Sequence, residues 1–523
     1  MLLVDGRLVA AVEEERLTGI KFANGLLPRR AVSYCLGAAG LSIRDVDRVV
    51  FAGATYRGFR ELLARFFRFH FGHAPPVELV DHHQAHAAST YYGAGWERAL
   101  VVTMDNSGDG LSTTVRRGVA GRLELVEQIA RPNSLGLFYS AVTQFLGFQK
   151  DSDEYKVMGM AAHGQPRYDL SHLLEITPEG YRFHHDFIRG VEPGEPSPTR
   201  QEPLFDEFPL DLPPRVPGAP ITAEYFDVAA SAQRQLERAV VQLVRHHAQR
   251  EGLDHVCLAG GVALNCKVNQ VVLQEPAVAR LYVPPVASDA GLALGAAYLA
   301  AVAEGHTVGP LEHAYWGPQF TPGEIAAVLD RAGVDYRESS DPADAAASAI
   351  AEGQIVGWFQ GRLEYGPRAL GNRSILADPR RADMQDQINQ RVKFREEFRP
   401  VAPAVLDERG ADWFVDYDDS PYMTRTFAVA PPTTERAPSI VHVDGTARLQ
   451  SVHRRTNPLF HELIEAYQRR TGLPLVINTS LNAYNDPMAC EPFQALRTFY
   501  ATGMDRLVLG PFVLEKRRRD RAT

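Results

Sequence analysis

GRLEYGPRALGNRSILADPRRADMQDQINQRVKFREEFRP, residues Gly361 to Pro400, gathers Arg362, Arg368, Arg373, Arg380, Arg381, Arg391, Lys393, Arg395 and Arg399 in one stretch of a chain whose formal net charge is −9. Forked guanidinium groups match the paired oxygens of phosphate and carboxylate, so a polyphosphate ligand is the first expectation. Gly361, Gly366 and Gly371 stand among turn-forming residues and let backbone N–H groups approach an anion. Arg362 and Arg395 are therefore candidate cofactor contacts. The alternative is a solvated basic face on a loop and a helix. Against it stands LPLVINTSLN, Leu473 to Asn482, which reads as a buried strand running into Asn478, Thr479, Ser480 and Asn482. Strand ends of this kind are where α/β proteins place ligands.

Working outward, 523 residues predict two or three domains. Hydrophobic residues at 45% and charged residues at 23% are those of a soluble globular protein. The first twenty residues lack the apolar core of a signal peptide, and no apolar run reaches the roughly 18 residues of a membrane span. A cytoplasmic protein with no membrane partner is expected. Cys35, Cys257, Cys266 and Cys490 are scattered without a CxxC, which predicts neither a disulfide framework nor a zinc ribbon. The acidic balance also speaks against a nucleic-acid partner.

The start reads as strand, Asp5-Gly6 hairpin and strand, then a helix opening at Glu13-Glu14-Glu15-Arg16. A helix from about residue 29 to 40 precedes the strand RVVFAG. Residues 57–72, RGFRELLARFFRFHFG, form an amphipathic helix whose aromatic face is read as core packing. ALVVTMD, Ala99 to Asp105, is a buried strand, and GLFYSAVTQFLGF is helical. Val191 to Pro220, crowded with Pro, Glu and Asp, is read as an exposed loop or flap. A long helix over about 222–250, the strand HVCLA with its glycine turn, and a small-residue helix ending near Gly305 follow. Trp316-Gly317-Pro318 marks the boundary, giving domains 1–315 and 316–523.

In VDHHQAHAAS a helix would place His82 and His86 one turn apart on one face, where they can share a divalent ion. Asp105, at the end of a buried strand, and Asp289, at a helix entrance, would complete a mixed N/O site suited to Fe2+ or Mn2+. For each aspartate the alternative is a helix N-cap. The glycine turns Asp105 to Gly110 and Gly260-Gly261 are both expected to cradle phosphate at a helix N-terminus. DEYKVMGMAAHG adds Glu154, Tyr155 and Lys156, with plain surface charge as the alternative.

HHQAHAAS, EYKVMGMAAHG, GGVALNCKVN, SDAGLALGAA, GRLEYGPRALGNRSILADPR, VKFREEFRPVAP and INTSLN occur in the order found in O-carbamoyltransferases of antibiotic and nodulation-factor biosynthesis, the NodU/CmcH and TobZ-like family. The chain resembles that family over nearly its whole length. The resemblance implies an α/β fold: an N-terminal domain of the actin-like ATPase superfamily (ASKHA), similar to tRNA threonylcarbamoyltransferases, and an α+β YrdC-like C-terminal domain. It also implies that the second domain makes carbamoyl-adenylate from carbamoyl phosphate and ATP with Mg2+, and that the first passes the carbamoyl group to a hydroxyl of a small natural product.

Carried onto this chain, Arg368, Lys393, Arg399, Arg448, Ser480 and Asn482 would hold the phosphates and the adenylate. His82, His86, Asp105 and Asp289 would hold the metal, and Gly260, Gly261 and Asn265 would line a nucleotide cleft. The acceptor and the metal are left open, as is a homodimer. Members of the family usually begin with a further strand and a GxxxxHDSA-like segment, whereas this chain starts at the following strand, LLVDGRLVAAVEEERLT. A start annotated downstream of the true one is the reading taken, because a lost edge strand would expose unpaired backbone groups. The competing functions are tRNA threonylcarbamoylation and a degenerate nucleotide-binding paralogue.

Overall fold

The computed structural model describes residues 1–191, 199 and 201–516. Two compact units are present: Ser42–Leu311 with Leu3–Arg7, and Glu312–Thr523 with Met1–Leu2 and Leu8–Leu41. No helix among the described residues is long and apolar enough to cross a membrane.

The first unit is built on a five-stranded sheet. Strands β1 (Arg98–Gly108), β2 (Leu111–Val119) and β3 (Arg122–Ala130) form an antiparallel meander, and β4 (His255–Ala259) and β5 (Arg280–Tyr282) run parallel to β1, giving the order β5-β4-β1-β2-β3. Leu100, Val101, Val102 and Met104 of β1 are fully buried, as expected for a central strand covered on both faces. The predicted helices are present as α1 (Phe59–Phe71), α2 (His82–Ala94), α3 (Ala223–Glu251), α4 (Cys266–Leu273) and α5 (Leu292–Ala303). Helix α5 comes so close to α2 that a Cβ on Gly295 would lie 1.7 Å from the carbonyl oxygen of Ala85. Only glycine allows that approach.

One expectation is corrected in this unit. The segment Asp105 to Gly110 does not lead into a helix: β1 continues to Gly108, and Asp109 and Gly110, at φ 50° and 85°, turn the chain straight back into β2. Both residues sit in the left-handed region that a tight hairpin turn requires, so no helix N-terminus is available there for phosphate. The expected exposed loop is present. Its residues 192–198 and 200 lie outside the described residues, while the rest is irregular and mostly exposed, anchored by the buried Leu204, Phe205 and Phe208, with the Phe208 ring 4.6 Å from that of Phe145.

The second unit carries an eight-stranded mixed sheet of β6 (Arg337–Glu338), β7 (Val356–Phe359), β8 (Arg373–Ala377), β9 (Ala402–Leu406), β10 (Gln450–Val452), β11 (Leu475–Ser480), β12 (Arg506–Leu509) and β13 (Phe512–Glu515), in the order β6-β13-β12-β7-β8-β11-β9-β10. Trp358, Phe359, Phe460, Tyr467 and Phe499 fill its core. The grouping differs from a division at 315/316 in placing Leu8–Leu41 here. The ties are specific: Ala11 N–H donates to Trp316 O (3.1 Å), Arg362 Nη2 to Val9 O (3.0 Å), Arg16 Nη2 to Gly366 O (3.0 Å) and Gly366 N–H to Glu13 Oε1 (2.9 Å).

The loop entering β8 is organised by one carboxylate. Glu364, fully buried, accepts the N–H groups of Leu370 (2.7 Å), Asn372 (2.9 Å) and Arg373 (3.2 Å) on Oε1. The equally buried Arg373 donates to the carbonyls of Gln360, Gly361, Asn372 and Pro318, with its guanidinium 3.6 Å from the Phe359 ring centre. Burial pulls its pKa down to about 10. Removing one member would leave a buried charge uncompensated, so Glu364→Ala should cost about 3–5 kcal/mol. Chemical denaturation of the purified variant checks this.

Candidate active sites

In the first unit the strand pairing of β1 with β2 is interrupted between Met104 and Gly108. A bulge of this kind re-aims side chains, and here it turns Asp105 toward the start of α2. Asp81 caps that helix, accepting the Gln84 N–H at 2.7 Å, and the helical spacing puts His82 and His86 on one face as predicted. Asp105 Oδ2 lies 3.1 Å from His82 Nε2 and 3.2 Å from His86 Nε2; Asp289 Oδ1 lies 3.6 and 3.4 Å from the same two atoms. All four donor atoms fall within 4.8 Å of one another. Two imidazoles and two carboxylates in that volume fit a divalent ion of the iron or manganese type. Asp289 is no N-cap: it stands inside the turn Asp289–Gly291, and its carboxylate is 70% exposed, which leaves an open side for a reacting group.

Electrostatics agree with a cation site. Burial alone would lower the His86 pKa, but its hydrogen bonds to Asp105 and Asp289 prevail and raise it to about 9. Burial opposes ionisation of Asp105, yet the hydrogen bonds from the two imidazoles hold it well below the ordinary carboxylate range. His83, packed behind them with Nδ1 2.8 Å from Thr103 Oγ1, is pushed down to about 4 by burial.

The other oxygen of Asp105 ties in the glycine turn: Oδ1 accepts the N–H of Asn106 (2.8 Å) and of Gly261 (3.4 Å). Gly260, at φ 91°, passes so close to Met104 O that a Cβ would lie 2.1 Å away. Asn265 caps α4 and exchanges amide hydrogen bonds with Gln233 at 2.8 and 3.1 Å. The three residues expected to line a nucleotide cleft thus sit directly behind the metal-type cluster. Asp109 was not singled out from sequence. Its carboxylate accepts the N–H of Ala54, Thr55 and His82 (each 2.9 Å) and the Thr55 hydroxyl (2.6 Å), fixing both the helix start and the loop before α1. The D-G hairpin signal was the available clue. Glu154 accepts the Ser140 hydroxyl at 2.9 Å, and Lys156 is buried beside Asp153 at 3.2 Å, so this pair is not surface charge.

In the second unit most of the basic stretch is spent internally. Arg380 pairs with Asp378, Arg381 with Asp383 and Arg391 with Asp505, each at 3.0 Å. Arg362, expected as an anion contact, points instead at the carbonyls of Gly317, Val9 and Trp316 and the Tyr34 hydroxyl. Asn478 is likewise buried and committed, donating to Gln450 Oε1 (2.8 Å) and Ala369 O (3.2 Å), while Thr479 beside it is half-buried.

What remains centres on Lys393, at the end of a π-helical turn, Ile388–Lys393. Its ammonium donates to Ser480 O, Ser480 Oγ (3.2 Å), Asn482 O (3.2 Å) and Asn482 Oδ1 (2.6 Å). Burial first, then the charges of Arg395, Arg399 and Lys21, push its pKa well below the usual lysine range. Phe394, next in the chain, is held at φ 47°, a strained value for a bulky side chain. Asn389 orders the following loop by accepting Arg395 Nε (2.6 Å) and donating to Arg399 O (2.9 Å). Arg368 and Arg448 are half-buried, and Gln450 links their elements by donating to Leu370 O at 2.8 Å while accepting from Asn478. Gln450 and Lys21 escaped the sequence reading because their partners are distant in the chain, and Asn389 because its bonds depend on the fold of the loop that follows it.

A Cβ on Gly108 would lie 2.1 Å from the His82 ring. Gly108→Ala should therefore displace His82 and reduce metal retention at least about tenfold while leaving the fold intact; metal analysis after dialysis against a weak chelator reads the outcome.

The family "Carbamoyltransferase N-terminus" matches residues 1–74 and 55–298, and "Carbamoyltransferase C-terminus" matches residues 347–516. Nodulation protein NolNO of Sinorhizobium fredii is 36% identical over 99% of this chain and 78% of its own length. Nodulation protein NolO of Bradyrhizobium diazoefficiens is 40% identical over 84% of this chain and 79% of its own. An uncharacterized protein of Synechocystis is 36% identical over 98% and 94% respectively. Among solved structures, HypF of T. kodakarensis is 16% identical over 54% of this chain and 44% of that one, with a TM-score of 0.29. Both halves of the chain match and the named relatives align along most of their length: the chain belongs to the carbamoyltransferase family and is an enzyme of carbamoyl transfer.

Proposed function

We propose that the protein is an ATP-dependent O-carbamoyltransferase with two chemically distinct centres. Around Lys393, carbamoyl phosphate and ATP would be converted to carbamoyl-adenylate, with water consumed and phosphate and pyrophosphate released. At the His82/His86/Asp105/Asp289 centre, a hydroxyl of a natural-product acceptor would attack the carbamoyl carbon and release AMP. The observation that carries this reading is the buried Lys393 held against Ser480 and Asn482. Burial and then the charges of Arg395, Arg399 and Lys21 disfavour its charged form, and a bound polyanion would offset that. The reactants named here are polyanionic, and the neighbouring hydroxyl and amide of Ser480 and Asn482 suit the neutral carbamoyl end.

At the other centre a divalent ion would supply Lewis acidity toward the carbamoyl oxygen. His82, His86, Asp105 and Asp289 would hold it, and the Gly260-Gly261 turn would stand beside the nucleotide. The order β5-β4-β1-β2-β3, a meander extended by two parallel strands, supports the actin-like reading of this unit, and the YrdC-like reading of the second unit rests on the family resemblance.

The centres separate by mutation. Lys393→Ala should lower pyrophosphate release from ATP in the presence of carbamoyl phosphate by at least about a hundredfold. His86→Ala should keep pyrophosphate release and lose transfer to acceptor, and a strong chelator should reproduce that split with the unaltered protein. Mass-spectrometric assay of both steps checks each; equal loss of both in a folded His86→Ala variant would defeat the two-centre assignment.

A further inference from the structure

Helix α1 and the loop before it carry chemistry that the carbamoyl-transfer reading has not used. The loop, residues 53–58, belongs to the rim of the first centre, because Asp109 grips Ala54 and Thr55 with the same carboxylate that holds the His82 N–H. Tyr56 follows, 52% exposed; after burial, the charges of Asp109 and Asp289 are what act on its phenol. The aromatic face of α1 was expected to be core, and Leu63, Phe66 and Phe67 are indeed buried. The opposite face is unusual. Phe69 is 83% exposed and Leu62 38%, and Arg65 and Arg68 lie beside them at helical spacing, with Arg57 and Arg60 at the loop end.

None of these four arginines makes an ion pair among the described residues. Four arginines against the single Glu61 give a local balance of +3 in a chain whose net charge is −9. In the second unit, by contrast, Arg380, Arg381 and Arg391 are paired with Asp378, Asp383 and Asp505. Unpaired guanidiniums on the helix that follows this rim loop present a field for phosphate, sulfate or carboxylate, and a phenylalanine standing among them offers an apolar contact.

Resting on the transfer reading above, we propose that this face binds the acceptor, and that the acceptor is an anionic molecule with an apolar body. Its anionic group sits on Arg65 and Arg68, its apolar part lies against Phe69 and Leu62, and its hydroxyl reaches past Tyr56 to the His82/His86 centre. A polycationic acceptor is repelled by the same field.

The test uses fluorescence anisotropy of the full chain with a tagged dodecyl phosphate and its dodecyl glucoside and dodecyl trimethylammonium counterparts, all kept below their micelle-forming concentrations. The phosphate probe should bind about tenfold tighter than the glucoside, and the preference should shrink as salt is raised. Arg65→Glu/Arg68→Glu should abolish the preference. Phe69→Ser should weaken the phosphate and glucoside probes alike, and thermal unfolding verifies that each variant is folded. Equal binding of all three head groups, or a preference that survives the double reversal, overturns the proposal. So does retention on phosphatidylglycerol vesicles with no binding of the monomeric probes, which would make the face a lipid-docking surface. Pyrophosphate release from ATP and carbamoyl phosphate by the unaltered protein keeps the two readings apart: release without head-group preference defeats the acceptor assignment alone, and preference without release defeats the adenylate reading while the anion site stands.

Discussion

A single break in strand pairing governs the first unit. Had β1 stayed in register with β2 through Asp105, that side chain would have alternated with its neighbours along the sheet. With pairing suspended between Met104 and Gly108, one carboxylate serves four groups: two imidazoles on Oδ2 and the N–H groups of Asn106 and Gly261 on Oδ1. The helix start, the glycine turn and the metal-type cluster are thereby fixed by one residue. Gly108 is small because His82 occupies the space a side chain would need. Asp109, two atoms of carboxylate reaching three backbone amides, holds the outer loop to the same frame.

The second unit shows how little local charge says about function. Nine cations lie between Gly361 and Pro400, but burial and pairing sort them into different trades. Arg373 and Arg362 are struts, satisfying carbonyls that strands and helices leave over. Arg380, Arg381 and Arg391 neutralise nearby acids, contributing little to any external field. Lys393 is different: it is buried against oxygen acceptors, with further cations as neighbours. That combination is poor for stability, and strongly shifted groups of this kind cluster at functional positions.

The helices and strands were largely legible beforehand because their signals are local. The Asp5-Gly6 turn, at φ 49° and 77°, obeys hairpin chemistry, and Gly40 ends its helix in the left-handed region. His82 and His86 needed only the helical repeat to be paired. The misreadings had local causes too. The Asp105 to Gly110 segment carries glycines that suit a phosphate loop and a hairpin equally, and only the partner strand β2 distinguishes them. The proline-rich stretch is largely exposed as its composition suggests, and only its burial of Leu204, Phe205 and Phe208 went unread.

Residue type and spacing alone thus determined the order of elements, the candidate imidazole and carboxylate ligands, the basic stretch and the family likeness, since each depends on neighbours within a few positions of the chain. Tertiary structure decided which cations are struts and which are held against oxygen acceptors, that Leu8–Leu41 packs with the C-terminal residues, and that Asp105 stands between two histidines. The physical reason is common to all three. The deciding partners, Arg16 with Gly366, Lys393 with Ser480, and His86 with Asp105 and Asp289, lie from 19 to 350 residues apart. The burial that gives those contacts their strength exists only once the chain has closed around them.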